Sequence, residues 1–491
     1  MRVTRTQWTA RVRRTVVVAS TLLLTVGGPT ALAAPVTPSD PLGLGDDPVE
    51  SVLDVFGAGT EVDVDPNNYA LDCPDVLIVA VTGATDSETT RNPLDEVDRL
   101  PWSNWTGNVT VPVGEAEADH PGRVGWVYVP YASTYGVDAT AIVPTYQESV
   151  REALAGTNRF LEENKAKCGS GTKFVLLGYS VGAEVMERLA VDIGSRPSTA
   201  TVTSDDIAGV ALVGDPYRPA GTPSLGRPGP SGGGFMSSEP KDYGTLTPKM
   251  QWFCRPGDIA CDAPLRLGIL PLAMNVFGQM HFTFAAPGLL VTDFAAAAAD
   301  LAARTIAHVF TDPDFATSDE SVLDVMLRVS DRTEDTSPTP PLPSPQEVSD
   351  AVQWALGPGR PVVEAKLAAE AEGFAEDNAD ISQLWEKPYL ELGFLQHLYY
   401  WDNFPDNGRD WESERIVGWI SDLAREQSEA PPAPAPAEPT PPTAPEPPAA
   451  PRVIPPVNPG YLAPPSPEQE SIPTTFDEIL KSLGIPAEPG K

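Results

Sequence analysis

Histidine is scarce in this chain. Four occur in 491 residues, so imidazole chemistry is confined to His120, His281, His308 and His397. Cysteine is as rare, at Cys73, Cys168, Cys254 and Cys261. No histidine cluster stands beside these, which argues against a zinc site, and no metal or cofactor is expected. Lysine and arginine number 33 against 68 acidic residues, a net charge of −35 spread along the chain. Nucleic acid is therefore excluded as a partner, because phosphate binding needs a basic surface. Beyond the amino terminus no uncharged apolar run is long enough to span a bilayer, and there is no internal repeat.

The amino terminus carries Arg2, Arg5, Arg11, Arg13 and Arg14, then an apolar stretch from Val16 to Val26, then Ala31-Leu32-Ala33. This pattern predicts a secretory signal peptide over 1–33 with cleavage after Ala33, and hence a secreted or cell-envelope location. The apolar region is short for a membrane anchor, and a Gly-Gly-Pro break follows it. Export makes the cysteines informative, since disulfides persist outside the cytosol. An even set favours two bridges, with three connectivities open. Cys254 and Cys261 are near enough to close a small loop, which leaves Cys73 with Cys168 across a long one. Closing such a loop contributes about 4 kcal/mol in the chain-entropy account.

The most informative motif is Gly178-Tyr179-Ser180-Val181-Gly182. It follows the apolar run Phe174 to Leu177 and precedes the helix-prone Ala183 to Leu189. Gly-x-Ser-x-Gly alone is a weak signal, but strand, sharp turn and helix in this order are what a nucleophile elbow requires. Glycines at both flanks let strand and helix pack closely while the serine hydroxyl stays accessible to a base.

Along the chain, residues 34–70 are an acidic, Gly/Pro-punctuated lead-in. Continuous apolar runs at Val76–Ala80, Trp126–Pro130, Phe174–Leu177 and Ile207–Val213 read as buried strands. Val150, Leu154 and Leu161 recur at helical spacing between Pro144 and Lys167. Strands alternating with helices predict an α/β fold with a parallel sheet covered on both faces, over 71–315. Residues 218–243 read as an exposed loop, and Ala285 to Phe310 as a closing helix. An acidic, Pro-rich linker is expected over 316–345, and a small separate helical domain with an aromatic core over 346–427. The Pro-rich remainder, 428–491, reads as an extended tail with a short terminal helix, a spacer through the envelope and the expected means of cell-wall association.

A serine nucleophile needs a base and an orienting carboxylate. Asp258 lies in Cys254-Arg255-Pro256-Gly257-Asp258-Ile259-Ala260-Cys261, and His281 follows it. The order Ser, Asp, His is that of α/β-hydrolases. His281 is thus the expected base, with His120 in a polar loop, His308 on the Ala-rich helix and His397 assigned to the separate helical unit. The oxyanion donors are expected to be the N–H of Val181 and one from the turn at Ala84 or Thr85.

Together, Cys-Pro-Asp-Val before a strand, a cysteine before Gly-Tyr-Ser-x-Gly, a Gly-Asp-Pro strand end and Cys-x-Pro-Gly-Asp-x-x-Cys before a histidine resemble the cutinases, including the cutinase-like esterases of mycolic-acid bacteria. The resemblance implies a cutinase-like α/β-hydrolase fold, fatty-ester hydrolysis, Ser180, Asp258 and His281 as triad, and bridges Cys73–Cys168 and Cys254–Cys261. Three departures stand out: Val181 where many cutinases have Gln, Ala84 where many have Ser or Thr, and a longer, apolar stretch between Asp258 and His281. That stretch, 263–280, reads either as a flap over the site, which points to a lipid-like or cell-envelope ester substrate, or as a helix packed on the body. The alternatives to a serine esterase are an acyltransferase or thioesterase using the same triad, and a non-catalytic envelope-binding protein on a hydrolase scaffold.

Overall fold

The computed structural model describes residues 64–94, 105–225, 227–237, 241–311, 314–383, 393, 395–398, 400–401 and 411–429. The expected signal peptide, most of the lead-in and the Pro-rich tail from residue 430 onward lie outside these residues.

The apolar runs become strands. They are β1 (Val76–Val81), β2 (Val124–Tyr128), β3 (Lys173–Tyr179) and β4 (Ile207–Val213), and a short β5 (Met250–Phe253) joins them. All pair in parallel in the order β2-β1-β3-β4-β5. The strand order reverses between β1 and β3, so the loops leaving these two strands diverge around a crevice at their carboxyl ends. That crevice is where Ser180 emerges.

Alternation of side chains along β1 divides the core. Leu77, Val79 and Val81 join one apolar cluster with helices α2 (Tyr146–Cys168) and α3 (Val181–Ser195). Val76, Ile78 and Ala80 join a second with α1 (Gly107–Ala116) and, unexpectedly, α9 (Glu412–Glu429). Ile416, Ile420 and Ala424 recur at helical spacing on α9 and are fully buried. Gly209 of β4 makes room for this helix, since a Cβ there would come within 2.6 Å of the Trp419 ring. Arg425 of α9 also reaches Glu117, at 2.8 Å.

This corrects the expected separate domain over 346–427. Its second part completes the hydrolase: Leu398, Tyr400, Trp401 and α9 lie in the same apolar cluster as β1 and β3. The physical reason is that a parallel sheet exposes two apolar faces, and α9 covers the part of the second that α1 leaves open.

The expected linker over 316–345 is likewise corrected. A capping box, Ser321 with Asp324, starts α6 (Val322–Ser330), which buries Leu323 and Val325. Asp331 then pairs with Arg188 of α3 at 2.7 Å, and Arg151 of α2 donates to the carbonyls of Arg332 and Thr333. The apolar stretch 263–280 forms α4 (Ile269–Phe277), packed with α5 (Gly288–Thr311) and α6 through Leu272, Val276, Leu301 and Leu323. It is a helix with its own small core. Helices α7 (Pro345–Leu356) and α8 (Arg360–Asp377) bury none of their residues.

The loop expected to be exposed over 218–243 is organised from within. Arg218 is 1 % exposed and donates to the carbonyls of Gly232, Cys261, Thr222 and Pro230. Both disulfides form as expected, Cys73–Cys168 and Cys254–Cys261.

If α9 belongs to the hydrolase core, Ile420→Ala should lower the stability of the whole domain by about 2–5 kcal/mol. Urea unfolding followed by fluorescence and by activity should then show one shared transition. A shift seen only in a separate transition that leaves the hydrolase untouched would contradict the packing.

Candidate active site

Ser180 sits between β3 and α3 with φ 57 and ψ −122, a conformation L-residues seldom adopt. Such strain persists only where surrounding structure imposes it. Here the Ser180 N–H is bonded to the Val213 carbonyl at 2.8 Å and its carbonyl accepts from Ala183, and the flanking glycines permit the turn. A Cβ on Gly178 would come within 2.3 Å of the Gly182 carbonyl oxygen, and one on Gly182 within 2.1 Å of the Val81 oxygen. The motif's glycines therefore let strand, turn and helix approach, and leave Ser180 partly exposed at the crevice.

The imidazole beside it is that of His397. Its Nε2 lies 2.8 Å from Ser180 Oγ, and its Nδ1 lies 2.9 Å from both carboxylate oxygens of Asp258. Asp258 is fully buried, and its Oδ1 also accepts the N–H of Ala260 at 2.8 Å. Tyr400 donates its hydroxyl to Asp258 Oδ2. Burial, then the neighbouring Asp258 charge, holds the Tyr400 phenol well above its usual range, so it remains a donor to the carboxylate. The bridge Cys254–Cys261 closes the loop that presents Asp258.

His397 is held on several sides. The Tyr179 ring stacks on it at 5.2 Å between centroids, with the planes 19° apart, and the Tyr179 hydroxyl donates to the His397 carbonyl at 2.7 Å. Gly214, from the Gly-Asp-Pro strand end, has φ 59, and a Cβ there would meet His397 Cε1 at 2.7 Å. Asp215 is buried and accepts from Trp252 Nε1 at 3.0 Å. Burial raises its carboxyl well above the ordinary range.

His281, the expected base, is engaged elsewhere. Its Nδ1 and its backbone N–H both bond Asp293 Oδ2 on α5, at 2.7 and 2.9 Å. The pair fixes the entry to α5, and the geometry puts His397 in the role assigned to His281. Both satisfy the order Ser, Asp, His, and nearness in sequence favoured the wrong one. The signal for His397 was downstream of it: Ile416, Ile420 and Ala424 mark a helix able to anchor that segment on the sheet. Of the other histidines, His308 meets Glu320 at 3.1 Å and His120 lies 3.9 Å from Glu117.

For the oxyanion, the N–H of Val181 is in the first turn of α3, where amides have no intrahelical acceptor and the helix dipole favours negative charge. In the turn after β1, the Thr85 N–H is already bonded to the Ser133 carbonyl at 2.9 Å. Of the two amides expected there, Thr85's is therefore engaged by Ser133. The turn lies against the nucleophile, since a Cβ on Gly83 would be 3.2 Å from Ser180 Cβ. The buried hydroxyl of Tyr131 holds it from below by donating to the Thr82 carbonyl at 2.7 Å.

Residues 104–269 match the family model described as Cutinase. The match takes in Ser180 and Asp258 and stops before both His281 and His397. A "Carboxylesterase Culp6 homolog" of Corynebacterium glutamicum is 26 % identical over 216 residues, covering 40 % of this chain and 68 % of that protein. Among solved structures, the catalytic core domain of acetyl xylan esterase from Trichoderma reesei is 17 % identical, with a TM-score of 0.28, over 46 % of this chain and 98 % of that one. A cutinase-like protein from Cryptococcus sp. is 16 % identical, with a TM-score of 0.27, over 39 % and 80 %. With its parallel sheet and flanking helices, the chain has a cutinase-like α/β-hydrolase fold. Its class is carboxylic ester hydrolase.

Because Gly214 abuts the imidazole, Gly214→Ala should displace His397 and lower kcat for an activated ester by about 100-fold. Circular dichroism and the thermal midpoint should report a folded protein. Unchanged kcat in the folded variant would show that the contact does not position the base.

Proposed function

We propose that this is a secreted serine esterase that hydrolyses lipid or cell-envelope carboxylic esters through Ser180, His397 and Asp258. The observation that carries the reading is the single hydrogen-bonded line from Ser180 Oγ through the His397 ring to Asp258. Ser180 Oγ attacks the ester carbonyl carbon while His397 Nε2 takes its proton. The oxyanion is met by the N–H groups of Val181 and Ala84. His397 then returns the proton to the departing alcohol, leaving an acyl group on Ser180. Water, deprotonated by His397, attacks this acyl-enzyme and releases the acid and the free serine. Asp258 keeps Nδ1 protonated, orients the ring and stabilises the imidazolium.

Export is supported by the signal-like amino terminus and by two disulfides. Among the described residues no helix is long and apolar enough to cross a membrane. A lipid-like substrate is supported by the exposed apolar side chains Phe277, Phe282, Phe284, Val291 and Phe294, clustered in sequence around His281.

Three variants separate the two histidines. Ser180→Ala and His397→Ala should each lower kcat on p-nitrophenyl butyrate by about 10⁴-fold or more. His281→Ala should stay within about threefold of the parent, since its partner is Asp293. Full activity in His397→Ala, or collapse in a folded His281→Ala, would overturn the assignment. Labelling of Ser180 by a fluorophosphonate separates an enzyme from a binding protein on this scaffold, which would stay unlabelled.

A further inference from the structure

One segment delivers two groups to the site. Three residues after His397, the Tyr400 ring stands nearly perpendicular to the imidazole, with the planes 86° apart and the centroids 6.4 Å apart. The ring is fully buried in the apolar cluster that includes residues of β1, β3 and α9, and the Tyr400 carbonyl accepts the N–H of Ser413 in the first turn of α9. Imidazole and phenol are therefore set in place together.

Asp258 is fully buried, and among the described residues its ionic partner is His397. A buried carboxylate beside a neutral imidazole is unfavourable unless hydrogen bonds replace the water it has lost. Three donors do so. The Ala260 N–H meets Oδ1 at 2.8 Å, His397 Nδ1 lies 2.9 Å from both oxygens, and the Tyr400 hydroxyl meets Oδ2. The direction of the last bond is fixed by its surroundings. The Arg255 N–H donates to the Tyr400 oxygen at 3.1 Å, and the Cys261 sulfur, 3.3 Å away, is tied in the bridge to Cys254 and has no proton to give. The phenol proton is left facing Asp258.

We propose that Tyr400 is a positioning residue of this site: its hydroxyl fixes the Asp258 carboxylate and takes up part of its charge, which limits how tightly His397 holds a proton. A carboxylate that shares its charge with a phenol pulls less on an imidazolium than a bare one. Turnover needs His397 neutral to accept the Ser180 proton, so the bond extends activity toward lower pH. The inference rests on the esterase reading for its effect on turnover, and on geometry alone for its effect on the imidazole. The other titratable and charged groups about the pair are Tyr179, stacked on His397, Asp215, which follows Gly214, Asp86, which acts on Tyr179, and Arg218, which acts on Tyr400. All of them stay in place in the variants below.

The test follows the ring-nitrogen NMR resonances of His397 through a pH titration of the full chain, identified by their loss in His397→Gln, beside kinetics on p-nitrophenyl butyrate. In Tyr400→Phe the midpoint of the His397 titration and the acid limb of kcat/KM should both move to higher pH by about 0.5, with kcat about tenfold lower and KM within about twofold. Replacement of Tyr400 by meta-fluorotyrosine keeps the shape and the hydrogen bond and makes the phenol a stronger donor, and it should move both to lower pH. Lost packing alone would not shift the titration in opposite directions in the two proteins. An unmoved midpoint in either folded variant, or a shift of the same sign in both, would overturn the proposal. If Tyr400→Phe does not fold, the fluorotyrosine protein decides alone, by a lowered midpoint or its absence. If the parent hydrolyses no ester, the esterase reading falls, and the titration still decides the role of Tyr400.

Discussion

The imidazole of His397, bonded on one side to Ser180 and on the other to Asp258, is the contact on which the rest depends. Each partner comes from a different part of the fold. Ser180 is thrust up by a strained turn that only flanking glycines permit. Asp258 is held in a disulfide-closed loop that Arg218 and Tyr400 brace. His397 arrives from 139 residues beyond Asp258. Its place is secured by Tyr179 and Gly214, while the residues that follow it, Leu398, Tyr400 and Trp401, share an apolar cluster with α9. A small error in any of these would separate the nitrogen from the hydroxyl, and proton transfer depends steeply on that distance.

Much of this was legible in the residues. Continuous apolar runs marked β1 to β4 because strands buried on both faces need no alternation. The Gly-x-Ser-x-Gly spacing marked the elbow because the steric demand of the turn falls on those two glycines. Cys254 and Cys261 marked the Asp258 loop. What local pattern could not convey was how far the chain travels before the base returns. His281 follows Asp258 in the order of a triad, and its pairing with Asp293 instead is not visible when only order is read. The acidic, proline-rich composition of 316–345 concealed α6, whose capping box and apolar face outweigh its flanks. Ile416, Ile420 and Ala424 did show an amphipathic helix, but its partner face on β4 is visible only once the sheet is assembled and one face is found partly uncovered.

The excursion between acid and base gives the fold its individuality. In such a hydrolase the sheet, the elbow and the oxyanion turn supply the chemistry, while the chain inserted ahead of the histidine is free to shape what reaches it. Here that insertion carries its own apolar core in α4, α5 and α6, is strapped to α2 and α3 by Arg151 and Arg188, and displays phenylalanines at its edge.

The most direct measurement is a crystal structure of the full chain after reaction with a fluorophosphonate. The account predicts phosphorus bonded to Ser180 Oγ, with His397 Nε2 within hydrogen-bond reach of the adduct and Asp258 behind Nδ1. An adduct on another residue, or His281 turned toward the phosphonyl group with His397 remote, would contradict it.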